Sequence, residues 1–208
     1  MAAESPWPEI HAERAALAED LAGLSDEQWV TPSLCADWTV RDVLGHLTAT
    51  ARMTPARFIA AFAASGFRFH PMNAKNVIGE TTGTPADGQA RFRAVIPAST
   101  HPPGPVDAML GEVIIHSADI RRPLGIQRTY PAAAVTRVAD FCMRSNLLLG
   151  GKTRSSGLTL HATDADWSAG SGPVVSGPAL SLVLAITGRS AALADLSGDG
   201  LATLRSRS

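Results

Sequence analysis

Along the first part of the chain, apolar residues recur three and four positions apart, the spacing of one helix face. Ile10, Leu17, Leu21 and Leu24 form such a stripe, with Glu9, Glu13, Arg14, Glu19 and Asp20 on the other side, and predict a helix over 6–24. Ser25 then opens a short turn as N-cap, with Gln28 at the capping-box position. Pro32 ends that turn, and Thr31 to Asp37 reads as a loop. A second long stripe, Val40, Val43, Leu44, Leu47 and Ala51, predicts a helix entered at Thr39, with Asp42 where a carboxylate suits the helix dipole. His46 lies beside this stripe, one turn after Asp42. Pro55 starts a further helix, on which Phe58, Ile59 and Phe62 are expected to pack. Residues 66–83 read as a loop or a broken helix. Thr84 to Asp87 looks like the entry to a helix running through Phe92 and Val95 to Ile96, and Pro97 to Pro105 is a proline-rich connection. A helix from Val106 to Arg122 follows, stopped by Pro123 and Gly125.

After Gly125 the pattern changes. Pro131 to Leu149 reads as one more helix, with Val135, Val138, Phe141, Cys142 and Leu148 on its apolar side. Leu158 to Ala162 alternates like a strand, Asp164 to Gly172 is a turn or hairpin connection, and Pro173 to Ser176 is a second strand. Gly177-Pro178 starts a helix through Ile186 that Thr187-Gly188-Arg189 ends, and Ala194 to Leu204 is a short α/β piece. The expected architecture is α+β: a helical bundle over residues 1–126 and a small α/β domain over 127–208, with no internal repeat.

Composition narrows the field. Hydrophobic residues are 45% of the 208 and charged residues only 18%, enough apolar material for a core and too little charge for a disordered chain. The formal net charge of −1 gives no reason to expect nucleic acid or an anionic membrane as partner. Lys75 and Lys152 are the only lysines among 18 basic residues, an arginine bias that fits a GC-rich genome. Cys35 and Cys142 lie far apart and outside any CxxC spacing, so no disulfide framework is expected. The N-terminus lacks the basic and apolar regions of a signal peptide, and the apolar run Leu180 to Ile186 is far too short for a membrane span. A soluble cytoplasmic protein is expected.

The chemistry-bearing pattern lies in the helix expected over 106–122. Glu112 and His116 are four residues apart, which puts them one above the other on one face, flanked by apolar Met109, Val113 and Ile120. A carboxylate and an imidazole so placed can take adjacent corners of one metal ion. A bundle needs a further ligand from a facing helix, and His46, at the edge of the other strong stripe, is the best candidate. Two His and one Glu leave a coordination position open, as catalytic zinc sites do. The same spacing also suits a core histidine bonded to a carbonyl and a simple Glu–His ion pair.

The residues around these three carry a resemblance. Trp29 to Leu47, with Pro32-Ser33, Cys35, Trp38 and Val40-Arg41-Asp42-Val43 before His46-Leu47, resembles the opening of the mycothiol-dependent maleylpyruvate isomerase family, of the DinB-like four-helix metalloproteins. Asp37 stands where glycine is common in that motif. Glu112 to Gly125 is similar to the family's second signature, a Glu, then His, then Asp-Ile-Arg-Arg-Pro-Leu-Gly. Leu160 to Trp167, Gly172 to Pro178 and Thr187-Gly188-Arg189 resemble its C-terminal domain, so the likeness spans nearly the whole chain in order. The resemblance implies a DinB-like four-helix bundle followed by a small α/β domain. It implies a divalent metal, most often zinc, held by His46, Glu112 and His116, and mycothiol as thiol cofactor. It implies a thiol-dependent cis–trans isomerisation, or thiol S-transfer, in which a thiolate at the metal adds to a conjugated double bond and leaves. The partners would be that thiol and a small organic substrate, the protein being a monomer or homodimer. An arginine of the C-terminal domain assists in the family, and Arg189 is the match here. The alternative function is a non-enzymatic metal-binding sensor or interaction module on the same fold.

Other residues have plainer readings. Asp42 either orients His46 or caps its helix, and Arg189 could serve only as a positive charge at a helix C-terminus. Asp119 and Arg121 suit supporting or ion-pair roles, and His11, His70, His101 and His161 read as surface or packing residues. Trp29 and Trp38 read as packing anchors and Cys35 as a small core residue. The glycines near Gly170 and Gly198 lack the strand-to-helix context of a nucleotide loop.

Overall fold

The computed structural model describes residues 4–146 and 150–208, and the chain divides into two compact units, one ending at Arg128 and the other beginning at Thr129. In the first unit α1 (Trp7–Asp20), α2 (Asp26–Trp29), α3 (Val40–Ala51), α4 (Pro55–Ala64), α5 (Phe69–Glu80), α6 (Pro85–Arg93) and α7 (Asp107–Arg121) follow in order. Four of them close a ring: α1 packs on α7, α7 on α3, α3 on α6 and α6 on α1, while α5 lies along α3. Leu17, Leu21, Val43, Leu44, Leu47, Phe92 and Ile120 fill the interior between them. Burying each such side chain contributes roughly 1.5–3 kcal/mol.

Local chemistry fixes where these helices begin. Ser25 and Gln28, Thr39 and Asp42, and Thr84 and Asp87 form three reciprocal capping boxes, and Thr54 caps α4 through the backbone N–H of Arg57. α1 stops at Asp20, short of the expected Leu24, and α5 supplies a full helix where the sequence left loop or broken helix open. Gly45 permits the close approach of α3 and α5, because a Cβ there would lie 2.8 Å from the Thr81 methyl. The expectation that Phe58, Ile59 and Phe62 pack into the fold does not hold, since α4 has no buried residue and Ile59 is 64% exposed.

α7 is the most enclosed helix of the unit: from Met109 to Arg121 every residue except Glu112 is buried. Its buried charge is compensated. Arg121 Nε donates to Asp20 at 2.6 Å and its Nη1 lies 3.7 Å from Glu13, whose other oxygen accepts from Arg128 at 2.6 Å. These pairs tie the middle and the C-terminal end of α1 to the C-terminal end of α7 and the segment after it.

The second unit consists of α8 (Ala132–Arg144), α9 (Gly151–Ser155), β1 (Thr159–Ala162), β2 (Ser168–Gly170), β3 (Val174–Gly177), α10 (Ala179–Ile186), a 3₁₀ turn (Ser190–Asp195) and α11 (Leu201–Arg205). Leu148, expected on the apolar side of α8, lies outside the described residues. The sheet order is β2-β1-β3, with β1 antiparallel to β2 and parallel to β3. The stretch expected to be only a connection therefore contributes a strand of its own. The β2–β3 link passes under the start of β1 so closely that a Cβ at Gly172 would meet the Gly157 carbonyl oxygen at 2.2 Å, and Gly172 takes φ 125° there. α10 is apolar and almost wholly buried, packed on α8 and the 3₁₀ turn, and Asp164 accepts its first N–H from Ala179 at 2.8 Å. Among the described residues no helix is long and apolar enough to cross a membrane.

Removing one carboxylate from the α1–α7 network leaves buried guanidinium charge undercompensated. Glu13→Ala is expected to lower stability on the order of 3 kcal/mol in urea unfolding, and a change below 1 kcal/mol would contradict this account.

Candidate metal centre

His46 comes to the interior because Thr39 sets the start of α3 and the Val43–Leu47 stripe faces α7, which leaves the imidazole at the edge of that contact. From α7, Glu112 and His116 project toward it, four residues and one turn apart. His46 Nε2 lies 2.9 Å from Glu112 Oε2 and His116 Nε2 lies 3.4 Å from the same oxygen. The two imidazoles meet edge to face with centroids 4.8 Å apart. All three ligand atoms fall within 4.8 Å of one another. Both histidines are buried, and Glu112 keeps 12% of its side chain exposed.

The proton inventory follows from these contacts. Burial alone would raise the Glu112 carboxyl, but the charge on His46 and the hydrogen bonds from both imidazoles outweigh it and hold the group well below the usual carboxylate range. His116 has a carboxylate at each nitrogen, Asp119 Oδ2 at 2.9 Å from Nδ1 and Glu112 at Nε2. Burial opposes its charge, yet these hydrogen bonds raise it to about 9, so without a metal it is an imidazolium.

The donor set fits a divalent ion. Ligands about 2 Å from a tetrahedral metal stand roughly 3.3 Å apart, close to the 2.9 and 3.4 Å separations here. The two Nε2 atoms converge on one carboxylate oxygen, the place an ion would take between them, and metal binding displaces any proton they carry. Asp119, itself fully buried, would keep the proton on Nδ1 of His116 and leave Nε2 for a metal.

The loop before α3 closes one side. Val40 N–H donates to Thr31, Ser33 N–H to Trp38 and Leu34 N–H to the Asp119 carbonyl, so the loop is fastened to α7 beside His116. Trp38 lies over the cluster, its ring 5.0 Å from His46 and 6.4 Å from His116. It is thus more than a packing anchor, whereas Trp29 is buried in the core as expected. Asp37 makes the turn possible with φ 65°, a left-handed conformation that glycine adopts most readily.

Other expected residues fall elsewhere. Asp42 does not touch His46; one of its oxygens accepts from Thr39 N at 2.9 Å and Thr39 Oγ1 at 2.6 Å, which settles it as a cap. Cys35, read from the sequence as a small core residue, is half-buried with its sulfur grouped with His116 and Asp119 within 4.8 Å, a proximity the sequence reading missed. His11 and His101 contact backbone carbonyls of Ala98 and Pro102. Arg189 is buried in the second unit, where Nη1 donates to the Thr187 carbonyl at 2.8 Å beyond the end of α10. Burial pushes the Cys142 thiol there up to about 12, with the Arg189 charge opposing.

The comparisons with known proteins bear on this arrangement. Residues 10–103 match the family profile described as the mycothiol maleylpyruvate isomerase N-terminal domain, a span that contains His46 but ends before Glu112. Two crystal structures are similar to the chain, those of the mycothiol-dependent maleylpyruvate isomerase and of its histidine-to-alanine variant. Each aligns with a TM-score of 0.62 over 93% of this chain and 91% of the other, at 16% identity, a level that carries the fold alone. No curated protein matches the chain in sequence. Residues 10–103 thus resemble the mycothiol maleylpyruvate isomerase N-terminal domain, and the chain shares the fold of the solved isomerase structures.

Proposed function

We propose that this protein is a metal-dependent enzyme of the maleylpyruvate isomerase type that uses a low-molecular-weight thiol, mycothiol, for cis–trans isomerisation or S-transfer. The observation that carries the reading is the meeting of His46, Glu112 and His116, from two helices, around one carboxylate oxygen. These three residues would hold the ion, zinc by the chemistry of two imidazoles and a carboxylate, and leave one position open. Bound there, a divalent metal lowers the pKa of a thiol at the open position and so supplies thiolate, the form that adds to a double bond conjugated with a carbonyl, near neutral pH.

The chain's own residues do the rest. Asp119 fixes the tautomer and orientation of His116. Trp38 covers the imidazoles and limits access of water on its side. In the second unit, Arg189 is proposed as the positive partner for the charge that develops on the carbonyl oxygen when the thiol adds.

The purified protein should hold about one divalent ion per chain, measured by elemental analysis. His46→Ala and His116→Ala should lose it, and Asp119→Asn should weaken its affinity about 10–100-fold with the helical circular dichroism unchanged. Full metal content in both histidine variants would rule the site out. Mycothiol added to cobalt-substituted protein should bring a sulfur-to-cobalt charge-transfer band. Arg189→Ala should keep that band while losing turnover. An unchanged spectrum would instead identify a metal-binding module without thiol chemistry.

A further inference from the structure

The whole-chain charge of −1 conceals a local excess. Between Asp42 and Glu80 the sequence contains no Asp or Glu, while Arg52, Arg57, Arg68 and Lys75 fall inside that interval. Arg52 is paired with Glu80 at 2.9 Å. Arg57, Arg68 and Lys75 reach no carboxylate among the described residues, and Arg57 touches only the Arg52 carbonyl.

The same interval carries the most exposed aromatic surface of the protein. Ile59 is 64%, Phe67 72% and Phe69 42% exposed. Their neighbours Phe58 and Phe62 join them into one face: Phe62 lies 4.8 Å from Phe69, 5.6 Å from Phe67 and 5.7 Å from Phe58, centroid to centroid. Two successive left-handed residues, Gly66 at φ 64° and Phe67 at φ 59°, hold the Phe67 ring at the corner between α4 and α5. A bulky side chain in that conformation is held against its preference.

Charge and composition select what this corner meets. A two-fold contact with a second copy would bring Arg57, Arg68 and Lys75 of one chain against the same cations of the other. A protein partner is held by about one hydrogen bond per 100–200 Å² of interface. α4 offers Arg57 as its single polar side chain. Apolar rings with unpaired cations beside them are what an anionic lipid surface takes up, the rings at the acyl boundary and the cations among the phosphates. We propose that the α4–α5 corner docks on an anionic membrane surface, with Phe67, Ile59 and Phe69 entering the interface and Arg57, Arg68 and Lys75 at the headgroups. This docking is peripheral and independent of the metal centre.

Sedimentation of the full chain with lipid vesicles tests it. The protein should pellet with vesicles of phosphatidylcholine and phosphatidylglycerol about tenfold more than with phosphatidylcholine alone, and molar salt should release it. Phe67→Ser, a change at an exposed site, should lower binding about tenfold, and Arg68→Gln about fivefold. Absence of pelleting, equal pelleting with both vesicles, or binding indifferent to Phe67→Ser would overturn the proposal. A dimer in light scattering that Phe67→Ser dissociates would also overturn it, by showing that the corner meets a second copy.

Discussion

Burying an ionised carboxylate costs far more than the fold can spare unless opposite charge and hydrogen bonds surround it. Glu112 meets that condition by sharing one oxygen between His46 and His116, and the first unit is arranged so that it can. α7 carries two members of the cluster and is enclosed along its length, which leaves no solvent to substitute for a missing partner. α3 must present His46 at one height and one rotation. The Thr39–Asp42 capping box sets its start, and Gly45 allows α5 to press against it one residue before the imidazole. Asp119 and the loop fastened to its carbonyl then fix His116 from behind.

Much of this was legible in the sequence for identifiable reasons. Capping boxes are short-range chemistry, so Ser25, Thr39 and Thr84 marked true helix starts. Glu112 and His116 share a face because helical periodicity requires it, and His46 could be matched to them from the edge of its stripe. Periodicity says which face of a helix is apolar and not whether anything covers it, which is why Phe58, Ile59 and Phe62 were expected to be packed. The β2 strand is three residues of Ser, Ala and Gly, without the apolar alternation that marks β1. Its place comes from pairing with β1, a tertiary effect. Asp42 looked equally suited to two roles, and only the cap geometry separates them.

Asp37 shows how a side chain can occupy a turn that favours glycine. The loop needs a left-handed residue, and Asp, with Asn, is among the side chains that tolerate it best. The turn therefore forms without glycine, and Trp38 reaches the imidazoles. Arg189 lies in the other unit and is engaged at the end of α10, so the role proposed for it rests on chemistry and not on contact.

The central claim is that His46, Glu112 and His116, and not the neighbouring Cys35, His116 and Asp119, form the metal site. X-ray absorption at the zinc edge of thiol-free, metal-loaded protein tests it most directly. The account predicts two imidazole shells and oxygen at about 2.0–2.2 Å with no sulfur. A sulfur shell at about 2.3 Å, or fewer than two imidazoles, would contradict it.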